Sequence, residues 1–217
     1  MQPAAEIVDA FLRGLGSDAE HILSAYFDRA AGALVQIITE EHRKFVGKPH
    51  YDEVVEVIPF NAVRVGRGET SRDRYGAFNR GVGYESYGKS LYAQDWFDSS
   101  TERDVANILE DERAVMLWVR LQIGDLPILW SSAREYNPDF IAVEEDDTHW
   151  VIEVKMDKEM SSDDVQAKRH AAQRWANHVS ADEQVGAVWR YLLVSESDVR
   201  TAKGSWKALK GLCGYGP

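Results

Sequence analysis

Tyr136 to Lys155 reads YNPDFIAVEEDDTHWVIEVK: a Pro-Asp step opens one short apolar run and Glu-Val-Lys closes another. Phe140 to Val143 is the first run, Glu144 to Thr148 is a polar turn, and His149 to Val154 is a second run rich in β-branched and aromatic residues. The pattern predicts a β-hairpin. A symmetric turn pairs Val143 with His149, Ile141 with Val151 and Asp139 with Glu153. Side chains alternate between the two faces of a strand, so Asp139, Glu153 and Lys155 are expected on one face at one end of the hairpin.

Two carboxylates beside an ammonium suit a hard divalent cation. Mg²⁺ takes one or two carboxylates and fills its other positions with water and phosphate oxygens. Asp139 and Glu153 are the candidate ligands, with the backbone carbonyl of Val154 as a third. Such an ion polarises a phosphodiester and lowers the pKa of a bound water. Lys155 would orient that water or stabilise charge developing on the phosphate. The same residues also read as a strand-end salt bridge with no metal, since carboxylates and lysines usually serve as solvated surface and Pro-Asp is a common turn start.

The flanks supply ordered elements. Ser99 and Glu102 have capping-box spacing, and Val105, Ile108 and Leu109 form the apolar stripe of a helix. Glu102 lies on that stripe, three residues before Val105 and seven before Leu109, where an unpaired charge is costly. Val115 to Leu121 and Ile128 to Trp130 read as strands. A helix is expected from near Ser162 to about Val179, where Val165, Lys168, Ala172, Trp175 and Val179 share a face. Lys168 on that face either snorkels to the surface or reaches inward, and Gln166 lies off the stripe. Trp189 to Ser195 closes with a strand, and Ser197 to Leu212 with a helix.

NPDF followed by EVK resembles the active-site signature of the PD-(D/E)XK nuclease superfamily. YGKSLYAQDWFDSSTERDVANILE, VMLWVRL, REYNPDF and VIEVK, taken together, resemble the C-terminal endonuclease domain of the restriction (Res) subunit of type III restriction enzymes. The similarity runs from about Tyr87 to Ser195. It implies an α/β protein with a restriction-endonuclease-like core of helix, three strands, helix and strand in the C-terminal half, and a metal-dependent endodeoxyribonuclease of a restriction or phage-defence system. It implies Mg²⁺ or Mn²⁺ as cofactor and DNA as partner, with motor and methyltransferase or specificity subunits alongside. It also implies that Glu102 approaches the metal and that Lys168 completes the catalytic set of Asp139, Glu153 and Lys155. Met156 departs from the pattern, because many such domains place Gly after the lysine.

Composition bounds these expectations. The 217 residues, 44% hydrophobic, suffice for a sizeable core, and no apolar run approaches a membrane span. The N-terminus, MQPAAEIVDAFL, lacks a secretory pattern, and the lone Cys213 excludes an internal disulfide; both fit a reducing cytoplasm. A net charge of -11 runs against a free-standing DNA binder, whose affinity comes from neutralising phosphates. Asn61 to Lys89 is the local exception, with six basic residues (Arg64, Arg67, Arg72, Arg74, Arg80, Lys89) against three acidic ones, and reads as a mobile basic loop. The domain division is expected at 1–95 and 96–217, with a mixed helix and strand N-terminal region. Two rival functions stand beside the nuclease. One is a noncatalytic nuclease-like module that binds nucleic acid or docks a partner. The other is a P-loop NTPase, because Gly83 to Ser90 reads GYESYGKS and fits GxxxxGKS, although neither the preceding strand nor the following helix is in place. Cutting both strands of a duplex needs two active sites, which points to a homodimer or a partner.

Overall fold

In a computed structural model the described residues are 68–131 and 134–215, with 10, 13–14, 16–18, 31–32 and 35. The chain divides into two units, Met1–Gly47 and Lys48–Pro217. In the first, a single 3₁₀ turn, Gly16–Asp18, is described. Of the amphipathic helices expected there, residues 10, 13–14, 31–32 and 35 are described and are helical; the strands expected around Pro59, and Arg64 and Arg67, lie outside the described residues.

The second unit opens with two short parallel strands, β1 (Thr70–Ser71) and β2 (Gly83–Tyr84). Helix α1 (Ser100–Asp111) follows, then strands β3 (Val115–Arg120), β4 (Ile128–Ser131), β5 (Arg134–Tyr136), β6 (Phe140–Glu144) and β7 (Thr148–Lys155). A 3₁₀ turn, Asp157–Glu159, leads into α2 (Asp163–Ala181), strand β8 (Val188–Ser195), and two short helices, α3 (Glu196–Ala202) and α4 (Trp206–Leu212). The main sheet has the order β3-β6-β7-β8. β3, β6 and β7 run antiparallel, whereas β8 lies parallel to β7. A parallel neighbour requires a crossover, and α2 supplies it. No helix among the described residues is long and apolar enough to cross a membrane.

Alternation along the strands divides the core in two. Phe140, Ala142, Trp150, Ile152, Leu192 and Val194 pack with residues of α1, α3 and α4. Ile141, Val151, Tyr191 and Leu193 pack instead with Val165, Ala171, Ala172 and Ala176 of α2 and with the β4–β5 hairpin. Both faces of the central strand β7 are therefore covered, which explains the unbroken burial from Trp150 to Val154.

The chain divides into compact units after Gly47, and the boundary expected near residue 95 falls inside the second unit. Val82, Tyr84, Tyr87 and Phe97 belong to the same core as α1 and the sheet. Between Tyr87 and Phe97 the backbone joins edge strand β3, Leu91 N–H donating to Trp118 O and Trp118 N–H to Lys89 O, each at 2.9 Å. The described part of the basic segment is likewise no mobile loop. Arg72 pairs with Glu85, Arg74 with Asp111 and Arg80 with Asp98, while Lys89 Nζ donates to the Glu112 carbonyl.

The phosphate-loop pattern has a structural use. Gly88 N–H and Lys89 N–H, which such a loop would present to a nucleotide, donate at 2.6 and 3.1 Å to the carboxylate of Glu110 on α1. Trp118 Nε1 donates to the same group at 3.0 Å. An internal anion thus occupies the cradle, and the NTPase reading falls. Replacing Glu110 by Ala orphans three donors and is expected to cost about 1–3 kcal/mol in urea denaturation. Unchanged stability would refute the fastening role.

Candidate active site

The hairpin register matches the sequence expectation. Val143 lies opposite His149, Ile141 opposite Val151 and Phe140 opposite Ile152. One residue beyond the ladder, Asp139 N–H donates to Ile152 O at 2.9 Å, and Asp139 Oδ2 accepts from Val154 N–H at 2.8 Å. On the other side Leu121 N–H donates to Asp139 O at 2.8 Å. Asp139 therefore bridges β3 and β7 through its backbone and reaches the Glu153 end of β7 with its carboxylate. Asn137 fixes the approach: its Oδ1 accepts from Gly124 N–H and Leu126 N–H, each at 3.1 Å, which ties the loop after β3 to the start of the motif.

Glu153 is 4% exposed. Its Oε1 forms an ion pair with Lys155 Nζ, which also donates to Val154 O at 3.3 Å. Its Oε2 is buried with no hydrogen-bond partner. Burial pushes the Glu153 carboxyl well above the ordinary range, and the neighbouring Asp139 charge adds to the shift. Asp139 is raised in the same way, by burial first and then by Glu102. For Lys155, burial works to lower the pKa, but Glu153 and Asp139 outweigh it and hold the ammonium above its usual value.

Glu102 is 7% exposed and acts on Asp139 through its charge. Ser99 Oγ accepts from Glu102 N–H at 3.1 Å, as the capping spacing predicts. The return bond differs, since the Glu102 carboxylate accepts from Asp98 N–H at 3.1 Å and from the Ser99 hydroxyl at 3.3 Å. Arg120 Nη2 donates to it at 2.8 Å. Both Glu102 oxygens are thus engaged within the protein.

Lys168 enters from α2. Its ammonium sits over the rings of Trp130 (5.2 Å) and Tyr136 (5.7 Å) and favours ionisation of Glu153. With Lys155 it lines a groove of about 480 Å³ beside the α2 N-terminus. Gln166 points elsewhere, Nε2 donating to Met160 O at 2.6 Å. Sequence reasoning missed Arg120, which links Glu102 and Asp98 and acts on Asp139. The available signal was an arginine ending the apolar run VMLWV.

The donor set is hard: two carboxylates meet on one face, and one buried oxygen is unsatisfied. It fits Mg²⁺ or Mn²⁺, which need no more than two protein carboxylates. Among the described residues no group of three or more His, Cys, Asp or Glu is placed to hold a metal ion.

Residues 88–188, a little under half of the chain, match a family model described as an endonuclease domain. This part of the chain is similar to an endonuclease domain. The match runs from the Glu110-bound loop to the first residue of β8 and contains Glu102, Arg120, Asp139, Glu153, Lys155 and Lys168. Comparison with curated proteins and with solved structures gave no match.

The endonuclease-like domain carries its buried carboxylates at a cost to stability. Asp139 titrates higher in the folded chain than its unfolded value of about 3.9, so its ionisation penalises folding increasingly as pH rises above that value. Asp139→Asn keeps an acceptor for Val154 N–H and removes the charge. In EDTA its Tm is expected to equal that of the wild type near about pH 4 and to exceed it by a few degrees near about pH 7.5. A lower Tm at both pH values would contradict this account.

Proposed function

We propose that this chain is a metal-dependent endonuclease that hydrolyses DNA phosphodiester bonds. The observation that supports this reading most is the unpartnered buried oxygen of Glu153, next to Asp139 and flanked by Lys155 and Lys168. Asp139 and Glu153 would hold Mg²⁺ or Mn²⁺, with the Val154 carbonyl as the third protein oxygen. When bound, the metal would polarise the scissile phosphate and lower the pKa of a water. Asp139 keeps one oxygen on Val154 N–H, which sets its carboxylate plane. Lys155, which pairs with Glu153 at the mouth of this site, would orient the attacking water and stabilise charge on the phosphate. Lys168 faces the same groove and offers a second cation to the phosphate. Glu102 and Arg120 act one layer back: Arg120 offsets Glu102 and Asp139, so the cluster tolerates several carboxylates together.

A restriction or phage-defence system in the cytoplasm is the setting we infer, with type III Res subunits as the nearest analogy. A net charge of -11 leaves the isolated chain a weak DNA binder, so motor and methyltransferase or specificity subunits would supply affinity. A second copy of the chain would serve the opposite strand.

Supercoiled plasmid tests the proposal. Nicking is expected with Mg²⁺ or Mn²⁺ and not with Ca²⁺, and Asp139→Asn or Lys155→Met should lower its rate by about 10²-fold or more. Full activity in either variant would sink the assignment. If plasmid stays intact throughout, a calorimetric Mn²⁺ titration decides: binding lost in Asp139→Asn retains the metal site in a module that depends on partners, and absence of binding removes the site.

A further inference from the structure

Asp98, just before α1, lies between two guanidinium groups. Arg80 reaches it with Nε at 3.1 Å and Nη2 at 2.6 Å, and Arg120 with Nη2 at 3.1 Å. The two arginines come from different parts of the fold, Arg80 from the segment before β2 and Arg120 from the end of β3. Bidentate guanidinium recognition suits carboxylate and phosphate alike, because both present paired oxygens. Asp98 is exposed, and the Arg80 side chain is 72% exposed, so neither is committed to the core. Ion pairs of this exposure contribute little to stability.

The arginines line a cavity of about 430 Å³ whose other walls include Trp96, Gln122 and Ile123. Its indole wall is fixed from behind, because a Cβ on Gly83 would fall 2.7 Å from Trp96 Cζ2. Ile123 is 98% exposed on a loop that is itself tied down by Asn137 and by Gln122 N–H donating to Asp125. An exposed apolar side chain on a fastened loop and a held indole thus line the same cavity as the two guanidiniums. A volume of this size lies at the lower end of small-ligand sites and is sufficient for one nucleotide.

We propose that this cavity is a nucleotide subsite flanking the Asp139–Glu153 centre. Arg80 and Arg120 clamp a backbone phosphate, the base lies against Trp96 and Ile123, and Asp98 occupies the clamp until nucleic acid displaces it. The proposal rests on the nuclease reading of the adjacent site for its meaning, since Arg120 connects the two through Glu102 and Asp139. The physical consequence is competition: nucleic acid must exchange one anion for another on the same two guanidiniums, which keeps affinity low and dependent on salt. Stacking on an aromatic face is tolerant of base identity, so the subsite selects strand rather than sequence.

The test is fluorescence anisotropy of labelled single-stranded and duplex oligonucleotides with the full chain in Ca²⁺, over a series of salt concentrations, for wild type, Arg80→Ala and Asp98→Asn. Arg80→Ala should weaken binding about tenfold and reduce the salt slope by about one. Asp98→Asn should tighten binding severalfold, because the clamp then lacks its internal anion. Both variants should keep wild-type Mn²⁺ affinity, since neither touches Asp139 or Glu153. Unchanged affinity in both variants overturns the subsite, as does absence of binding by both wild type and Asp98→Asn. Plasmid nicking run in parallel separates the two ideas. Nicking with unmoved affinities leaves the nuclease and removes the subsite; intact plasmid with the expected affinity changes supports the subsite and leaves the cleavage reading to the Mn²⁺ titration.

Discussion

Two neighbouring carboxyl groups at one end of a β-hairpin, Glu153 buried and Asp139 half-buried, set the terms for the rest of this fold. Asp139 and Glu153 share a face; burial raises both, the Asp139 charge makes ionisation of Glu153 harder, and Glu102 makes ionisation of Asp139 harder. The desolvation of a carboxylate costs several kcal/mol even after relaxation, so a stable protein needs compensation nearby. It comes from three directions: Lys155 pairs with Glu153, Val154 N–H binds Asp139, and Arg120 approaches from β3 through Glu102. None of these satisfies the second oxygen of Glu153. A fold that protected stability alone would place an apolar pair here, so the residual imbalance reads as retained for a ligand.

The hairpin carrying that imbalance was legible in sequence because it is local. A period of two fixes which side chains share a face, and a short turn fixes the register, so Asp139 and Glu153 could be placed together from spacing alone. Glu102 followed from helical periodicity, and Lys168 from the α2 stripe. Glu144 was not legible. It was expected in a polar turn, yet it is buried and accepts from Trp150 Nε1, Trp206 Nε1 and Lys210 Nζ. Two of those partners lie on α4, far along the chain, and no local pattern announces them.

The glycine-rich segment before α1 misled for a related reason. Its residues follow neither helical nor strand periodicity, and the composition resembles a linker. What holds it is a set of long-range contacts: Tyr84 and Tyr87 packed on Phe97, the indole of Trp96 against Gly83, and Glu110 filling the amide cradle at Gly88 and Lys89. A motif that matches a nucleotide loop in letters is here satisfied by a carboxylate of the same chain. The phosphate-loop pattern describes a preference for anions, and the fold decides which anion arrives.

That substitution of an internal carboxylate for a phosphate recurs across the described surface. Arg72, Arg74, Arg80 and Arg120 each face a carboxylate of the chain. An acidic protein of this kind cannot attract nucleic acid through long-range field alone, and screening at physiological salt shortens that field to about 8 Å. Contact must therefore form by exchange, one carboxylate leaving a guanidinium as one phosphate takes its place. Such exchange is nearly balanced in energy, and a partner that raises the local concentration of DNA is enough to drive it. On the proposed nuclease reading, acidity would then keep the site idle until DNA is delivered to it.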